Sequence, residues 1–169
     1  SNFVEIVQKL FLDHGLPSQY LELELTESVL VKDTNEVLLK LQALSDLGVS
    51  LGIDDFGTGY SNLGSVSRTS PDFLKIDKSF VFEMEDTSVR SSLIPEIVAI
   101  AKAVNAEVIA EGVENEAQAN KLHEMGARFG QGYLFARPMP IKDFVAYYLA
   151  SQTPGAPHLA APESLVTSG

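Results

Sequence analysis

The protein has 169 residues, 45% hydrophobic and 21% charged, which is the composition of about one globular domain. Its 23 acidic residues outnumber its 12 basic ones, and the formal charge of -11 disfavours binding to DNA, to RNA or to an anionic membrane surface. The absence of cysteine excludes disulfides, thiolate zinc sites and a cysteine nucleophile.

The sequence also lacks the usual signals for membrane attachment. No apolar run is long enough to cross a membrane, and Ser1 to Glu5 do not have the pattern of a signal peptide. We therefore expect a cytoplasmic chain without membrane contact of its own, which leaves membrane attachment of a longer parent protein open.

Helical and strand-like patterns alternate along the chain. Apolar residues recur every three or four positions in the helices and every second position in the strands. The predicted elements, in chain order, are a helix at 2–14, a strand at 21–26, a helix from 33 or 34 to 47, a strand at 49–54, a short loop or helix at 61–68, a strand at 73–77, a helix within 88–104, a strand at 107–112, a helix at 116–125, a strand at 129–135 and a helix at 141–150.

Several residues mark the ends of these helices. Gly126 and Asn105 are suited to the left-handed backbone that often follows a helix. Asn115 and Gln118 have the spacing of a capping box. Pro95 is predicted either to kink the helix within 88–104 or to lie in its first turn.

The alternation from 21 to 150 predicts an α/β fold with five parallel strands and helices outside the sheet. A closed (β/α)₈ barrel takes about 250 residues. The chain is therefore expected to form either an open sheet or part of a barrel.

Residues 151–169 are rich in Pro, Ala, Ser and Gly and are predicted to be a flexible tail or linker.

An aliphatic strand runs into two consecutive acids, Asp54 and Asp55, and then into a glycine-rich loop. Neighbouring strand residues point to opposite faces. Both acids can therefore face one site only if the strand ends at Asp54 and Asp55 belongs to the loop. Taken alone, the pattern is explained equally well by a polar turn.

Strand parity extends this candidate site to the other strands. Polar residues alternate with aliphatic residues that we expect to face the helices, and they lie at the carboxyl ends of the strands, where parallel α/β folds build their sites. In strand order the candidates are Glu24, Asp54 with Asp55, Lys75, Glu111 and Gln131.

Four converging carboxylates require a cationic partner, since each close pair repels by about 4 kcal/mol at an effective dielectric near 20. The histidines at 14, 123 and 158 lie at helix ends or in the tail, so the ligands are oxygen atoms, which favours Mg²⁺ or Mn²⁺ over zinc. Two such ions would balance four carboxylates, and paired ions cleave phosphodiesters by in-line attack of water. For a single acid at a strand end, however, capping of the next helix is more common than metal binding.

Other residues near these strand ends admit more than one interpretation. Glu22 is expected to point inward as a buried partner for a lysine or a hydrogen-bond network. Asp77 either supports the site or simply caps a helix. The Gly57-Thr58-Gly59 loop also suggests a nucleotide-cofactor loop, although position 62 is Asn where that fingerprint requires Gly.

At this point the sequence resembles a known family, the EAL domain, a bacterial phosphodiesterase module for cyclic di-GMP. Five ordered motifs carry the resemblance, which covers about residues 2–150: Glu22-Leu-Glu-Leu-Thr-Glu-Ser28, Ile53-Asp-Asp-Phe-Gly-Thr-Gly-Tyr-Ser61, Leu74-Lys-Ile-Asp-Lys-Ser-Phe-Val81, Ala110-Glu-Gly-Val-Glu-Asn115 and Gln131-Gly-Tyr-Leu-Phe135. It implies a modified TIM barrel that hydrolyses cyclic di-GMP to linear pGpG with two Mg²⁺ or Mn²⁺ ions.

The resemblance also implies a role for each matched residue. Glu24 and Asp54 would bind one metal ion, and Asp54, Asp55 and Glu111 the other. Lys75 would orient or deprotonate the attacking water. Gln131 would hold a water molecule or a ligand in the same shell.

Two further acids would support this site by the same resemblance. Glu27 would tether the loop at 55–61, which in the family couples the site to dimerisation, so a homodimer is expected near this loop. Glu114 would be a supporting acid at the rim. Sensory or cyclase domains upstream are also compatible with the family.

The chain departs from the family pattern, at Asn62, Gly64 and Pro95 away from the metal ligands and more seriously in missing parts of the site. It lacks the Glu-Ala-Leu motif, the arginine that follows it, and the strand with the metal-binding Asn. We therefore expect residues 1–150 to be a partial domain without its N-terminal strands, inactive alone but part of an active parent enzyme. The alternative is an inactive receptor for cyclic di-GMP or a protein-interaction module on the same fold, and a nucleotide-cofactor domain is a weaker third hypothesis.

Overall fold

The computed structural model describes residues 2–151 except 28, 30–34, 60–62 and 85–90. The described helices and strands are α1 at Phe3–His14, β1 at Glu22–Thr26, α2 at Asn35–Asp46, β2 at Ser50–Phe56, α3 at Leu63–Thr69, β3 at Phe73–Ile76, α4 at Lys78–Phe82, α5 at Ile94–Ala103, β4 at Glu107–Glu111, α6 at Glu116–Glu124, β5 at Phe129–Gln131 and α7 at Ile141–Ser151. Short 3-10 helices lie at Ser18–Tyr20 and Ser91–Leu93.

The five described strands form one parallel sheet in the order β1-β2-β3-β4-β5, so each strand pairs with its neighbours in the chain. Helical segments connect consecutive strands. The predicted α/β fold with five parallel strands is confirmed. Because all strands run in the same direction, their carboxyl ends meet at one edge of the sheet, which is where the candidate residues lie.

The core lies between the sheet and its helices. The larger cluster joins β2, β3 and β4 to α5 and α6, and it contains the fully buried Ile53, Leu74 and Ala110. A smaller cluster packs α1 and α2 against β1 and β2 around Leu44 and Leu51. The aliphatic residues that alternate with the candidate polar residues thus face the helices, as strand parity predicts.

Several predicted boundaries are confirmed. Asn105 has a left-handed backbone (φ 60°), and Pro95 lies in the first turn of α5, which resolves the two alternatives for that residue. The capping box of Asn115 and Gln118 forms at the start of α6.

Other boundaries differ. The predicted strand at 129–135 ends at Gln131, because the next residues form a turn in which Phe135 and Ala136 donate backbone hydrogen bonds to Gly132. Helix α4 is absent from the sequence prediction, since five residues are too few to display a helical period. The expectation for Glu22 is wrong: its side chain is exposed on β1, which has one described neighbouring strand.

Some predictions fall partly outside the described residues. They include the start of the second helix at 33 or 34, the end of the glycine-rich loop at 60 and 61, and the tail beyond Ser151. Within the described ranges, no helix has both the length and the hydropathy required to span a membrane.

We expect Asn115→Ala to lower the free energy of unfolding by about 1 kcal/mol, because the Asn115 side chain accepts a hydrogen bond of 2.9 Å from the Gln118 N–H. Urea unfolding of the full-length protein measures this change. The matched control is Asn120→Ala, an exposed position inside α6, where alanine should be neutral or slightly stabilising. Equal effects at both positions would contradict a capping role.

Candidate active site

Lys75 lies at the centre of the candidate site. It belongs to β3, the middle strand of the described sheet, and it is only 7% exposed. Its ammonium nitrogen Nζ lies 2.9 Å from Glu24 Oε1, 3.1 Å from Asp54 Oδ1 and 2.6 Å from Glu111 Oε1. One lysine thus contacts acids from β1, β2 and β4, and the convergence expected from strand parity is present in the structure.

These contacts keep Lys75 charged. Burial by itself lowers the pKa of a lysine, but the surrounding carboxylates of Glu111, Glu24 and Asp54 outweigh burial and raise the pKa of Lys75 above its ordinary value. An ammonium group has three N–H donors and no acceptor. In this arrangement Lys75 can therefore hold and orient carboxylates, while it has no lone pair with which to accept a proton.

A bulge in β2 brings Asp54 and Asp55 to the same site. The strand continues to Phe56, so the prediction that it ends at Asp54 is wrong. Its pairing with β3 shifts between Ile53 and Phe56, and Asp55 has a left-handed backbone (φ 54°). This bulge interrupts the strict alternation of faces, so two consecutive residues can point toward one site.

Asp54, Asp55 and Glu111 form a cluster of three acids. Each contributes a carboxylate oxygen, and these three oxygens lie within 4.8 Å of one another. Asp54 Oδ1 is buried, and its close cationic neighbour among the described residues is Lys75 Nζ at 3.1 Å. Hard divalent cations prefer carboxylate oxygens. The cluster therefore fits a divalent cation, which would add a second positive charge beside Asp54.

Glu24 lies at the other side of Lys75. Its side chain is 41% exposed, and it contacts the lysine rather than belonging to the cluster of three acids. The Glu24 carboxylate therefore has room for a further ligand on its solvent side.

Asp77 lies between β3 and the first residue of α4. Its carboxylate accepts a 3.0 Å hydrogen bond from the Ser79 N–H, so Asp77 is an N-cap. Burial acts to raise the pKa of Asp77, but its contacts with Ser79 outweigh burial and lower that pKa. For Asp55, burial raises the pKa, and the negative charges of Asp54 and Asp77 raise it further.

Gln131 and Glu114 lie on the β5 side of the site. Gln131 is the last residue of β5, pairs with Glu111 in the sheet register, and is exposed. Glu114 is also exposed, and its backbone N–H donates to Gln118 Oε1 at 2.8 Å. All three residues line a cavity of about 250 Å³.

Glu27 follows β1 and lies against the glycine-rich loop. It is only 6% exposed, and its Oε2 accepts a 2.8 Å hydrogen bond from the Gly59 N–H. A side chain at position 59 would begin 3.0 Å from the Glu27 carboxylate carbon. This contact joins the loop after Asp55 to the end of β1.

Sequence reasoning missed two features beside these acids. Lys78, the first residue of α4, lines the same cavity as Glu111 and Gln131. Gly132 allows the β5 end to approach the loop after β4, since a Cβ there would lie 2.2 Å from the Val113 backbone oxygen. The glycine after Gln131 is visible in the sequence and could have indicated this close approach. Nothing local in the sequence connects Lys78 with Glu111.

The chain was compared with known proteins. The sequence profile of the EAL domain matches residues 1–138. The bifunctional diguanylate cyclase/cyclic di-GMP phosphodiesterase MucR of Pseudomonas aeruginosa is 40% identical over 146 residues, which are 86% of this chain and 21% of MucR. The chain spans about a fifth of the length of such curated relatives.

Solved structures agree with this match. The complex of the PaMucR phosphodiesterase with c-di-GMP superposes with a TM-score of 0.81 at 40% identity, covering 85% of this chain and 58% of that one. A manganese/cy-diGMP complex of Klebsiella pneumoniae BlrP1 superposes with a TM-score of 0.72 at 32% identity, covering 80% of this chain and 34% of that one.

Proposed function

This chain belongs to the EAL domain family, and from that premise we propose that the full-length protein hydrolyses cyclic di-GMP to linear pGpG in bacterial second-messenger signalling. The observation that carries the proposal is the arrangement around Lys75, where acids from three strands converge within 3.1 Å of one buried ammonium group. The similarity to the MucR phosphodiesterase supports the same activity.

The acids have distinct positions in this proposal. Asp54, Asp55 and Glu111 would hold one divalent cation, which their clustered oxygens and the burial of Asp54 Oδ1 support. Asp54 would bridge to a second cation shared with the partly exposed Glu24. When bound, such cations neutralise the carboxylates and supply Lewis-acid activation for in-line attack of water on phosphorus.

Lys75 orders these ligands. Its Nζ contacts Glu24, Asp54 and Glu111 together, so it fixes the carboxylate oxygens of three strands in one geometry. The resemblance assigns Lys75 the role of orienting or deprotonating the attacking water, whereas these contacts support orientation of the carboxylates. Gln131 lies beside Glu111, where its amide would hold a water molecule or a substrate oxygen.

The reaction itself is a hydrolysis. Water adds to one phosphorus, the bond from that phosphorus to a ribose 3′ oxygen breaks, and the leaving oxygen takes a proton. Glu27 would hold the loop after Asp55. Asp77 would hold the start of α4 and, through its side-chain hydrogen bond with Asp55, would also support the acid cluster. Glu114 would act at the cavity rim.

The cation is proposed to be Mg²⁺ or Mn²⁺, with two ions bound. The all-oxygen cluster supports a hard divalent cation, and BlrP1 has been solved with manganese and with calcium. We further propose a cytoplasmic location, since the substrate is an intracellular messenger. A homodimer through the 55–61 loop and upstream sensory or cyclase domains remain predictions, the latter in keeping with the two activities of MucR.

The test is a direct assay of the full-length protein. Cyclic di-GMP should be converted to linear pGpG in the presence of Mg²⁺ or Mn²⁺, EDTA should abolish turnover, and excess Mg²⁺ or Mn²⁺ should restore it. Chromatography of the nucleotides measures the product. Binding of cyclic di-GMP without any turnover would instead favour the receptor alternative, and neither binding nor turnover would overturn both.

A further inference from the structure

Lys78 is a cation at the edge of the acidic site that the mechanism above does not use. It follows the N-cap Asp77, three residues after the central Lys75, and its side chain is exposed. Within the described part of the chain it has no ion-pair partner and no side-chain hydrogen bond. The adjacent Asp77 is a negative group on which its charge acts without a close ion pair, so Lys78 can contact a further anionic group.

Lys78 lies in the wall of a cavity beside the site. This cavity of about 250 Å³ is also lined by Glu111 and Gln131. A ligand that enters it can therefore contact Lys78 as well as these two residues. Phe82, one helical turn further along α4, lines this cavity as well and adds an apolar wall.

Gly112 makes this arrangement possible. The residue has a left-handed backbone (φ 72°), and a Cβ at position 112 would lie 2.6 Å from the Lys78 Cβ. The glycine that follows Glu111 thus lets the end of β4 pass directly beneath Lys78. Glu111 and Lys78 are held side by side by backbone packing, not by a charge contact between them.

Two other cations near the site are already engaged. Lys75 contacts three carboxylates, so its charge is compensated within the protein. Arg137 lies over the Tyr133 ring at 4.3 Å and lines the neighbouring cavity of about 450 Å³. Among the residues that the structure describes, Lys78 is the one Lys or Arg that lines the smaller cavity.

The proposed substrate needs such a cation. Cyclic di-GMP contains two phosphodiester groups, each with one negative charge, and only one of them is cleaved in a turnover. Glu111 and Glu114 line the same cavity as Lys78, so a phosphate group there meets negative charges that Lys78 would offset. Resting on the proposed function, we propose that Lys78 binds the phosphodiester that is not cleaved and so selects a substrate with two phosphates.

The test compares Lys78→Ala, Lys78→Arg and wild type in the full-length protein with two substrates. With cyclic di-GMP we expect Lys78→Ala to raise KM by about tenfold with kcat nearly unchanged, and Lys78→Arg to retain most of the affinity. Bis(p-nitrophenyl) phosphate has a single phosphodiester, so its hydrolysis should not respond to either substitution. Lys9→Ala, which removes an exposed lysine of α1, is the charge-matched control.

The outcomes separate this inference from the proposed function. If wild type turns over cyclic di-GMP and Lys78→Ala has an unaltered KM, or loses activity equally on both substrates, the role of Lys78 is wrong while the phosphodiesterase stands. If wild type shows no turnover, the proposed function fails. Calorimetric titration with cyclic di-GMP then tests whether Lys78 contacts the ligand. A roughly tenfold weaker Kd for Lys78→Ala would then support the contact, and an unchanged Kd, or no binding by wild type, would overturn it.

Discussion

Replacing Asp54 with asparagine is expected to lower kcat for cyclic di-GMP hydrolysis by about a thousandfold, which corresponds to about 4 kcal/mol of transition-state stabilisation. Asp54 contacts Lys75, contributes to the cluster with Asp55 and Glu111, and has a buried Oδ1 atom. An amide is nearly isosteric with the carboxylate but lacks its charge. Steady-state kinetics with saturating Mg²⁺ or Mn²⁺ measure the loss.

The fold should survive this substitution. Asp54 is one of several acids close together, so removing its charge also relieves repulsion with its neighbours. We expect the free energy of unfolding to change by about 1 kcal/mol or less. The control is Asp46→Asn, an exposed acid of α2 that accepts a hydrogen bond from Gln42, which should leave kcat unchanged. A fully active Asp54→Asn enzyme would contradict the proposed metal site.

The second large effect is expected from Lys75→Met. Methionine fills similar space but removes the charge that three carboxylates contact, so Glu24, Asp54 and Glu111 are left to repel one another. We expect kcat to fall by at least about a hundredfold, because the carboxylates lose their common anchor. Because these carboxylates retain some exposure, the free energy of unfolding in EDTA should fall by only about 2 kcal/mol.

Divalent cations should distinguish the loss of stability caused by Lys75→Met from its loss of kcat. Adding Mg²⁺ to the variant should restore part of the lost stability, since a cation replaces the missing positive charge, whereas kcat should stay low. Urea unfolding with EDTA and with Mg²⁺ measures the difference. Lys102→Met, at an exposed position of α5, is the control for loss of a lysine. Equal stability of wild type and Lys75→Met in EDTA would contradict the structural role of Lys75.

These predictions share one physical basis, which is the balance of charge at the strand ends. The protein as a whole carries a formal charge of -11, and its site concentrates acids around one buried lysine. That lysine stabilises the site without a ligand, while cations and Lys78 would be needed to admit an anionic substrate. Affinity for the substrate should therefore depend on both the divalent cation and ionic strength.

The sequence alone was sufficient to predict the α/β sheet and most of the residues that meet at its edge. The hydrophobic periods of helices and strands are local properties, visible in stretches such as Leu21 to Thr26. Their alternation implies parallel strands, and parallel strands place all carboxyl ends on one side. The convergence of Glu24, Asp54, Glu111 and Lys75 follows from these two rules without any knowledge of distances.

Tertiary structure decided the details that give each residue its contacts. Asp55 reaches the site through a bulge whose register depends on pairing with β3, and Glu22 is exposed because β1 has one described neighbour. Lys78 lines the same cavity as Glu111 because Gly112 lets two separate segments approach closely. Register shifts, left-handed residues and close approaches of distant segments are settled by packing between elements. Local sequence therefore determined which residues end the strands, and only the folded sheet determined which of them touch.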